Sequence, residues 1–521
     1  MSCCIITIIK NEHQYLDEWI QYHLDIGVSH IFIFEDIDSS SHREITDKYN
    51  RVTLLPISSL LSSEEKSEIL MLKRTKKQNP QHIYFSKALL YVQSLQEYNW
   101  AFQIDIDEFI TLENKDDCLD DIMSQFSSYD ALLLQWKCYG ASGHIHSPNY
   151  KEGGVQELFD KPAPEHTLSS PYPDSWSKRI IYNLQKYQSG FFHCVHQAKD
   201  ICNFCNTRFE RDRKSWCYDK IYLRHYITRS WEEYLWKKLR RGYFMGFART
   251  WDAFFVLNPE MSNIKKDLIY AINHPVLVVL PYVQSKSQGS ELRLALRGWR
   301  KNCKFSYHFV VIGEFDTSLV EEFDWVEFIA VPTLPRVNGQ YNPHLDIQHK
   351  FEVAYERFKD HYPGFIYMVD DNYAVRPFSQ FDIFQTHYLQ SSFIGVERLP
   401  ASYWKHDKWK TRRLLDREGL PHINYTTHFP CYFNFEKLKM LWDKFDMRHE
   451  SYVPEDVYFN AYYFSRPVQV DPVRYGIWGP TFMDERFNNA IENTSIKFIC
   501  NSVEGWSKEL EDSLKKIVEG V

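Results

Sequence analysis

The sequence lacks a membrane-spanning helix. None of its apolar runs approaches the ~18 uncharged residues such a segment needs, and its mean hydropathy is −0.46. No secretory leader is expected either, because MSCCIITIIKNE has only a few apolar residues before Lys10, with no basic start and no cleavage site. The expectation is a cytoplasmic protein. No disulfide framework is present, since the 11 cysteines are odd in number and scattered. The one CxxC, Cys202 to Cys205, stands without the second pair that a zinc ribbon requires. Basic excess is missing too: 61 Lys and Arg face 69 Asp and Glu, giving a net charge of −8, which argues against a nucleic-acid partner. There is no GxxxxGK[ST] segment, which disfavours a P-loop kinase.

What is present is a long and aromatic chain. At roughly 100–200 residues per domain, 521 residues make two large domains or three smaller ones. The hydrophobic fraction of 44% and charged fraction of 25% are globular values. Aromatics reach 16%, a supply that serves carbohydrate or planar-ligand sites as well as cores.

Two stretches open like α/β nucleotide-binding domains. The first begins with the β-branched run Cys4 to Ile9, suited to a strand buried on both faces. A helical pattern carrying Leu16, Trp19, Ile20 and Leu24 follows and stops at Gly27. Further strands are expected at 30–34, 52–55 and 100–104, with a helix around 82–97. The second opening is Val276 to Leu280, followed by a helix after Ser290, strands at 305–312 and 326–331, a helix near 347–360 and a strand at 365–369. Strands alternating with helices imply mostly parallel sheets. The segment 251–275 is the best boundary, giving domains 1–270 and 271–521.

Each half sends a buried strand into acids. Asp105-Ile106-Asp107 follows the fourth strand, where open parallel sheets bind their ligands. Alternation would set both carboxylates on one side, where like charges repel unless a cation lies between them. A hard divalent ion, Mn²⁺ or Mg²⁺, completed by a diphosphate, resolves that repulsion; a turn with exposed acids is the bland alternative.

The first half resembles the GT-A glycosyltransferases of the glycosyltransferase-2-like, galactan synthase (family 92-like) group. The residues that carry the likeness are Lys10-Asn11-Glu12, Glu18-Trp19, His23, Gly27, Asp105-Ile106-Asp107-Glu108-Phe109, Trp136 to His144, and His225-Tyr226 through Ser230 to Glu233, ending at Arg241-Gly242. Two positions depart from the family pattern, Cys138-Tyr139 in place of Phe and Arg229 in place of Lys. The resemblance implies nucleotide-sugar contacts from Asn11, Glu12, Asp36 and Asp105, a catalytic Glu108, and metal ligands Asp105 and Asp107. A third ligand would come from His196 or from its competitor His225. Physically, Ser230-x-x-Glu233 is a capping box. The basic cluster Lys237, Lys238, Arg240 and Arg241 serves the helix dipole or a diphosphate or acceptor equally well.

The second half resembles stealth-type capsular polysaccharide transferases and the galactofuranosyltransferase half of bifunctional O-antigen polymerases. The likeness rests on Glu291-Leu292-Arg293 to Arg297, on Asp370-Asp371, on His428-Phe429-Pro430 and on Pro454-Glu455-Asp456. Asn372 replaces a third acid of that pattern. Asp370 and Asp371 would hold the metal or its water, Tyr282 would meet the nucleotide sugar, and His428 would either contact its diphosphate or ligate the metal. Arg293 and Arg297 share a helix face and suit either phosphate or surface ion pairs. Glu455 or Asp456 would deprotonate the acceptor hydroxyl, or simply cap a helix after Pro454.

The expected fold is therefore α/β, two tandem GT-A-like (Rossmann-like) domains with mostly parallel sheets. The expected function is a bifunctional hexosyltransferase of bacterial surface polysaccharide, capsule or O-antigen. It would use UDP-hexoses, galactose first and galactofuranose or another hexose second, on a glycan or lipid-linked acceptor. Peripheral association with the inner face of the membrane fits such an acceptor. The rivals are one active domain with a degenerate glycan-binding partner, and a metal-dependent nucleotidyltransferase or phosphohydrolase.

Overall fold

The protein is represented by a computed structural model. It describes residues 2–75, 81–164, 178–186, 201–203, 218–241, 251–334, 341–389, 403–462, 466–471, 473–479 and 485–520. The chain divides into two compact units, Met1–Pro259 and Glu260–Val521. Residue 270 lies within the helix Lys265–Asn273. That helix is tied to the second unit by Asp267, which accepts hydrogen bonds from the Tyr432 hydroxyl and the Asn434 amide, both at 2.9 Å.

The first unit contains β1 (Cys3–Ile9), β2 (His30–Glu35), β3 (Val52–Pro56), β4 (Trp100–Gln103), β5 (Glu108–Leu112), β6 (Ala131–Cys138), β7 (Lys178–Asn183), β8 (Ile201–Asn203) and β9 (Ile221–His225). Their order is β3-β2-β1-β4-β7-β6-β9-β5, with β8 beside β6. The first four strands are mutually parallel, and β7 runs antiparallel to both β4 and β6. The unbroken apolar run of β1 is explained by its two covered faces. Ile5 and Ile9 pack in the cluster of Leu16, Trp19 and Ile20 from the helix Leu16–Asp25. Cys4 and Ile6 face Phe85, Leu89 and Val92 of the helix Gln81–Leu95.

The second unit contains β10 (Val276–Val283), β11 (Tyr307–Glu314), β12 (Val326–Ala330), β13 (Gly364–Tyr367), β14 (Asn372–Ala374), β15 (His387–Tyr388), β16 (Cys431–Asn434), β17 (Val468–Gln469), β18 (Arg474–Ile477) and β19 (Phe498–Asn501). Its main sheet runs β12-β11-β10-β13-β16, with β16 antiparallel to β13. A smaller sheet runs β14-β19-β18, and β15 pairs with β17. Both units thus place their first four strands in the same order and add an antiparallel neighbour to the fourth. The molecule is α/β, with mostly parallel main strands and a reversal of strand order beside the first strand of each unit, where such sheets open a ligand crevice.

Local expectations meet two outcomes. The capping box forms, with the Glu233 amide donating to Ser230 Oγ and the Ser230 amide to Glu233 Oε2, both at 3.2 Å. Ser290, by contrast, makes no side-chain cap for the helix Glu291–Asn302. Its hydroxyl donates instead to Glu511 at 2.7 Å. No helix among the described residues is long and apolar enough to cross a membrane.

Candidate active sites at two acidic turns

The two units build their acidic segments on the same backbone plan. After β4 the chain passes Ile104 and Asp105, turns at Ile106-Asp107 and enters β5. After β13 it passes Met368 and Val369, turns at Asp370-Asp371 and enters β14. Ile104 donates to Ile6 of β1 at 3.3 Å, as Met368 donates to Val279 of β10 at 3.1 Å. The Asp107 carbonyl accepts from Tyr226 at 2.9 Å, as the Asp371 carbonyl accepts from Asn501 at 3.2 Å. Asp107 and Asp371 therefore occupy equivalent places, whereas Asp105 corresponds to Val369. The carboxylates of the first pair are arranged by a turn and not by strand alternation.

Each of these equivalent aspartates faces a histidine. His225 Nε2, at the end of β9, lies 3.9 Å from Asp107 Oδ1. His428 Nδ1 lies 3.5 Å from Asp371 Oδ1. His428 adopts φ +51°, a left-handed conformation unusual outside glycine, and its carbonyl accepts a hydrogen bond from the Asn372 amide. Carboxylate and imidazole donors of this kind suit a divalent cation whose shell is completed by phosphate oxygens. Among the described residues, no group of three or more His, Cys, Asp or Glu gathers as a metal cage. His196 lies outside the described residues, as do Cys205 and the side chains of Lys237 to Arg241.

Sequence reasoning missed Arg179, and that residue changes the reading of the first acids. Arg179 Nε reaches both Glu108 carboxylate oxygens at 2.9 Å, and its Nη2 bonds Asp105 Oδ2. Its guanidinium lies 5.2 Å from the centre of the Trp136 ring. Burial works against the Arg179 charge, and the Asp105 and Glu108 carboxylates more than restore it. The repulsion expected between Asp105 and its neighbours is thus relieved at Asp105 by a protein cation. Glu108 is completely buried, and burial pushes its carboxyl up against the pull of Arg179. In this setting Glu108 positions Arg179 and the turn, with its Oε2 accepting from the Asp105 amide at 2.9 Å. The only signal for Arg179 in the sequence is a charge preceding the apolar pair Ile180-Ile181.

The ends of β1 and β2 bring Asn11, Glu12 and Asp36 to the same edge of the sheet as Asp105, since Ile9 pairs with Glu35 and Ile6 with Gln103. Asn11, at φ +55°, links the two strand ends through its Oδ1, which accepts from Ser40 N at 2.9 Å and Ser40 Oγ at 2.8 Å. Asp36 Oδ1 accepts from the Tyr84 hydroxyl at 2.9 Å. Glu12 accepts from the Tyr15 hydroxyl and stands 4.0 Å from Arg229 Nη1. Arg229 also pairs with Glu233 at 3.4 Å and lies 4.6 Å from the Tyr15 ring centre. The capping glutamate and the departing Arg229 are thereby joined to the Lys10-Asn11-Glu12 motif.

In the second unit the structure separates the two candidate bases. Asp456 is completely buried and fully engaged, with Lys408 Nζ at 2.5 Å, the Thr426 hydroxyl at 3.1 Å and the Tyr425 amide at 2.7 Å. It holds a loop, which is a structural role. Glu455 instead lines a cavity of about 170 Å³ together with His428, Tyr367, Val369, His344 and Phe429. Burial pushes the Glu455 carboxyl above the usual range, with the Asp456 charge adding to that and His344 and Lys408 opposing it. Asp370 is also raised, by burial and then by Asp371 and Glu291.

Tyr282, on β10, is buried, and its carbonyl accepts from Lys350 Nζ at 3.0 Å. Lys350 is buried and also bound to Asp346, a pair that sequence patterning did not single out. Arg293 and Arg297, read from the sequence as suiting phosphate or surface ion pairs, meet carboxylates in the structure. Arg293 Nε pairs with Glu322 at 2.7 Å, and Arg297 pairs with Glu322 at 2.6 Å and with Glu519. Their forks pin the helix Glu291–Asn302 to its neighbours, which is the ion-pair alternative.

Comparison with known proteins places a family on the first half of the chain. A glycosyltransferase from Ricinus communis, described as a family 92 protein, is 30% identical over 153 residues, which are 28% of this chain and 24% of that protein. The chain thus spans about a quarter of that relative's length. A solved structure of a glycosyltransferase involved in glycosylation of the major capsid of PBCV-1 is 13% identical. It covers 47% of this chain and 100% of its own, with a TM-score of 0.23. The model of glycosyltransferase family 92 matches residues 1–271 of the 521, and the chain belongs to that family.

Proposed function

We propose that each unit is a metal-assisted hexosyltransferase site, and that the chain adds two sugars in turn to a growing glycan. The observation that supports this most directly is the repeated turn, in which an aspartate faces a histidine at the carboxyl end of the fourth strand. Asp107 with His225, and Asp371 with His428, would hold Mn²⁺ or Mg²⁺ against the diphosphate of a nucleotide sugar. The bound ion would offset the charge of the departing diphosphate. Asn11, Glu12 and Asp36 would bound the nucleotide sugar in the first unit, and Tyr282 in the second. Glu455 would take the proton of the acceptor hydroxyl as the new bond forms, and its raised pKa brings it nearer the working range of a general base.

The donors in this reading are UDP-hexoses, galactose in the first unit and galactofuranose or another hexose in the second. The acceptor is a lipid-linked surface polysaccharide, such as capsule or O-antigen, met by peripheral association at the inner face of a bacterial membrane. A panel of UDP-hexoses with Mn²⁺, assayed for transfer to lipid-linked and free oligosaccharides, tests it. Two distinct linkages lost on chelation are the expected result. Nucleotide release without any acceptor, and no glycosidic product, would favour a phosphohydrolase.

A further inference from the structure

Trp478 is half exposed, with 50% of its surface accessible, yet it is held on three sides. The Arg474 guanidinium lies 5.4 Å from its ring centre. Arg474 is itself buried and donates to Cys500 Sγ at 3.3 Å. Gly476 lies against the indole so closely that a Cβ there would meet the ring at 2.6 Å. The His428 ring packs at 5.2 Å with an interplanar angle of 67°. The third position of the smaller sheet's edge strand is therefore glycine because an indole must lie on it, and the indole is packed at the surface rather than buried.

Its neighbour decides what it serves. His428 faces Asp371 at 3.5 Å and also lines the cavity that contains Glu455. Trp478 thus stands directly beside the reacting end of the second unit. It follows β18, in the sheet β14-β19-β18, whereas the crevice at the reversal of strand order lies between β10 and β13. With the nucleotide read into that crevice, Trp478, which follows a strand of the other sheet and touches the Asp371–His428 pair through the His428 ring, is free to meet the sugar-accepting partner.

We infer that Trp478 is the stacking platform for the acceptor saccharide of the second unit. The apolar C–H face of a hexose ring lies on an indole without needing a directional hydrogen bond, and the polar rim of the sugar stays free for other partners. A platform of this kind positions the acceptor hydroxyl between the donor and Glu455. It rests on the reading of the second unit as a transferase, but saccharide contact is measurable separately from transfer.

The test uses the full chain labelled with 5-fluorotryptophan. The fluorine resonance missing from Trp478→Phe identifies Trp478. Titration with a mixture of gluco-, galacto- and manno-tetraose should shift that resonance, and UDP with diamagnetic Mg²⁺, which would bind at His428 and not on the indole face, should shift it far less. Trp478→Ala should raise the acceptor KM by about tenfold or more while leaving the donor KM unchanged, and Trp478→Phe should recover most of the loss. A resonance that answers to UDP and not to saccharide, or to neither, overturns the proposal. Failure of the transferase reading gives a different pattern: Asp371→Asn would leave both linkages intact whatever the tetraose titration shows.

Discussion

Asp371 Oδ1 and His428 Nδ1 face each other at 3.5 Å, and both are buried atoms without a hydrogen-bond partner among the described residues. Asn372 Oδ1 beside them is in the same condition. Orphaned buried polar atoms are costly, on the order of 1–3 kcal/mol each, so a cluster of three at one strand end is an arrangement that a bound cation or water would complete. His428 reaches this place from a loop 57 residues away in the chain and holds a left-handed backbone there.

Glu455 and Asp456 are adjacent in sequence and should behave oppositely. Glu455→Gln is expected to leave thermal stability unchanged and to slow transfer by the second unit about 10²-fold or more. Asp456→Asn should lower the melting temperature, because it strips the buried Lys408 of its counter-charge. Melting curves and single-linkage assays of the two variants check both halves. An unstable Glu455→Gln chain, or a fully active one, contradicts the assignment.

Removing Arg179 should unfold the first unit more readily than it alters chemistry. Arg179→Ala leaves Glu108 and Asp105 without their buried counter-charge, a loss of about 3–5 kcal/mol. Urea denaturation of the full chain should show the first unit's transition moving to lower denaturant. Unchanged stability would mean that the Arg179–Glu108 contact carries no weight.

Arg293 and Arg297 should be dispensable for donor binding. Replacing both by Gln is expected to keep the donor KM within about twofold and to cost about 1 kcal/mol or less, as for exposed pairs. A large rise in donor KM would restore the phosphate role that their contacts with Glu322 and Glu519 argue against.

Acid should destabilise the first unit through His23. Its Nε2 accepts from the Ile110 amide at 3.1 Å and its Nδ1 donates to the Trp19 carbonyl at 2.8 Å, which fixes a neutral ring. Burial pushes its pKa down to about 3, whereas the unfolded chain titrates near 6.5. Because the folded value is the lower one, the unfolded chain takes up the proton first. The stability is fully present above about pH 6.5 and declines by about 1.4 kcal/mol per pH unit below it, toward the folded value. Between pH 6.5 and 5 the wild type should lose about 2 kcal/mol more than His23→Gln, read from denaturant midpoints. Equal losses would contradict the neutral buried ring.

Much of the fold was legible because buried parallel strands announce themselves. The runs at β1 and β10 are apolar on both faces, and the strand expected at 305–312 is realised as Tyr307–Glu314. The acidic turns were legible as acids after a strand, since local order along the chain carries that information. Of their partners, His225 and His428 were candidates in the sequence, but which aspartate each would face was not legible. Arg179 and Trp478 were not singled out, because sheet order brings them to the site and no local spacing encodes that. Arg293 and Arg297 show the reverse failure, because correct helical spacing could not reveal that Glu322 sits between them. His23, conspicuous in the sequence motif, proves to be a buried link between the helix Leu16–Asp25 and β5.

The central claim is that the two acidic turns serve two separate transfers, and product analysis of two variants tests it most directly. Asp107→Asn and Asp371→Asn chains would each be given both UDP-hexoses, Mn²⁺ and the acceptor, and the products resolved by mass spectrometry. Each substitution should abolish one linkage and spare the other, and mixing the two variants should restore alternating growth. Full-length product with both sugars from the Asp371→Asn chain alone would contradict the account and leave the second unit as a glycan-binding partner.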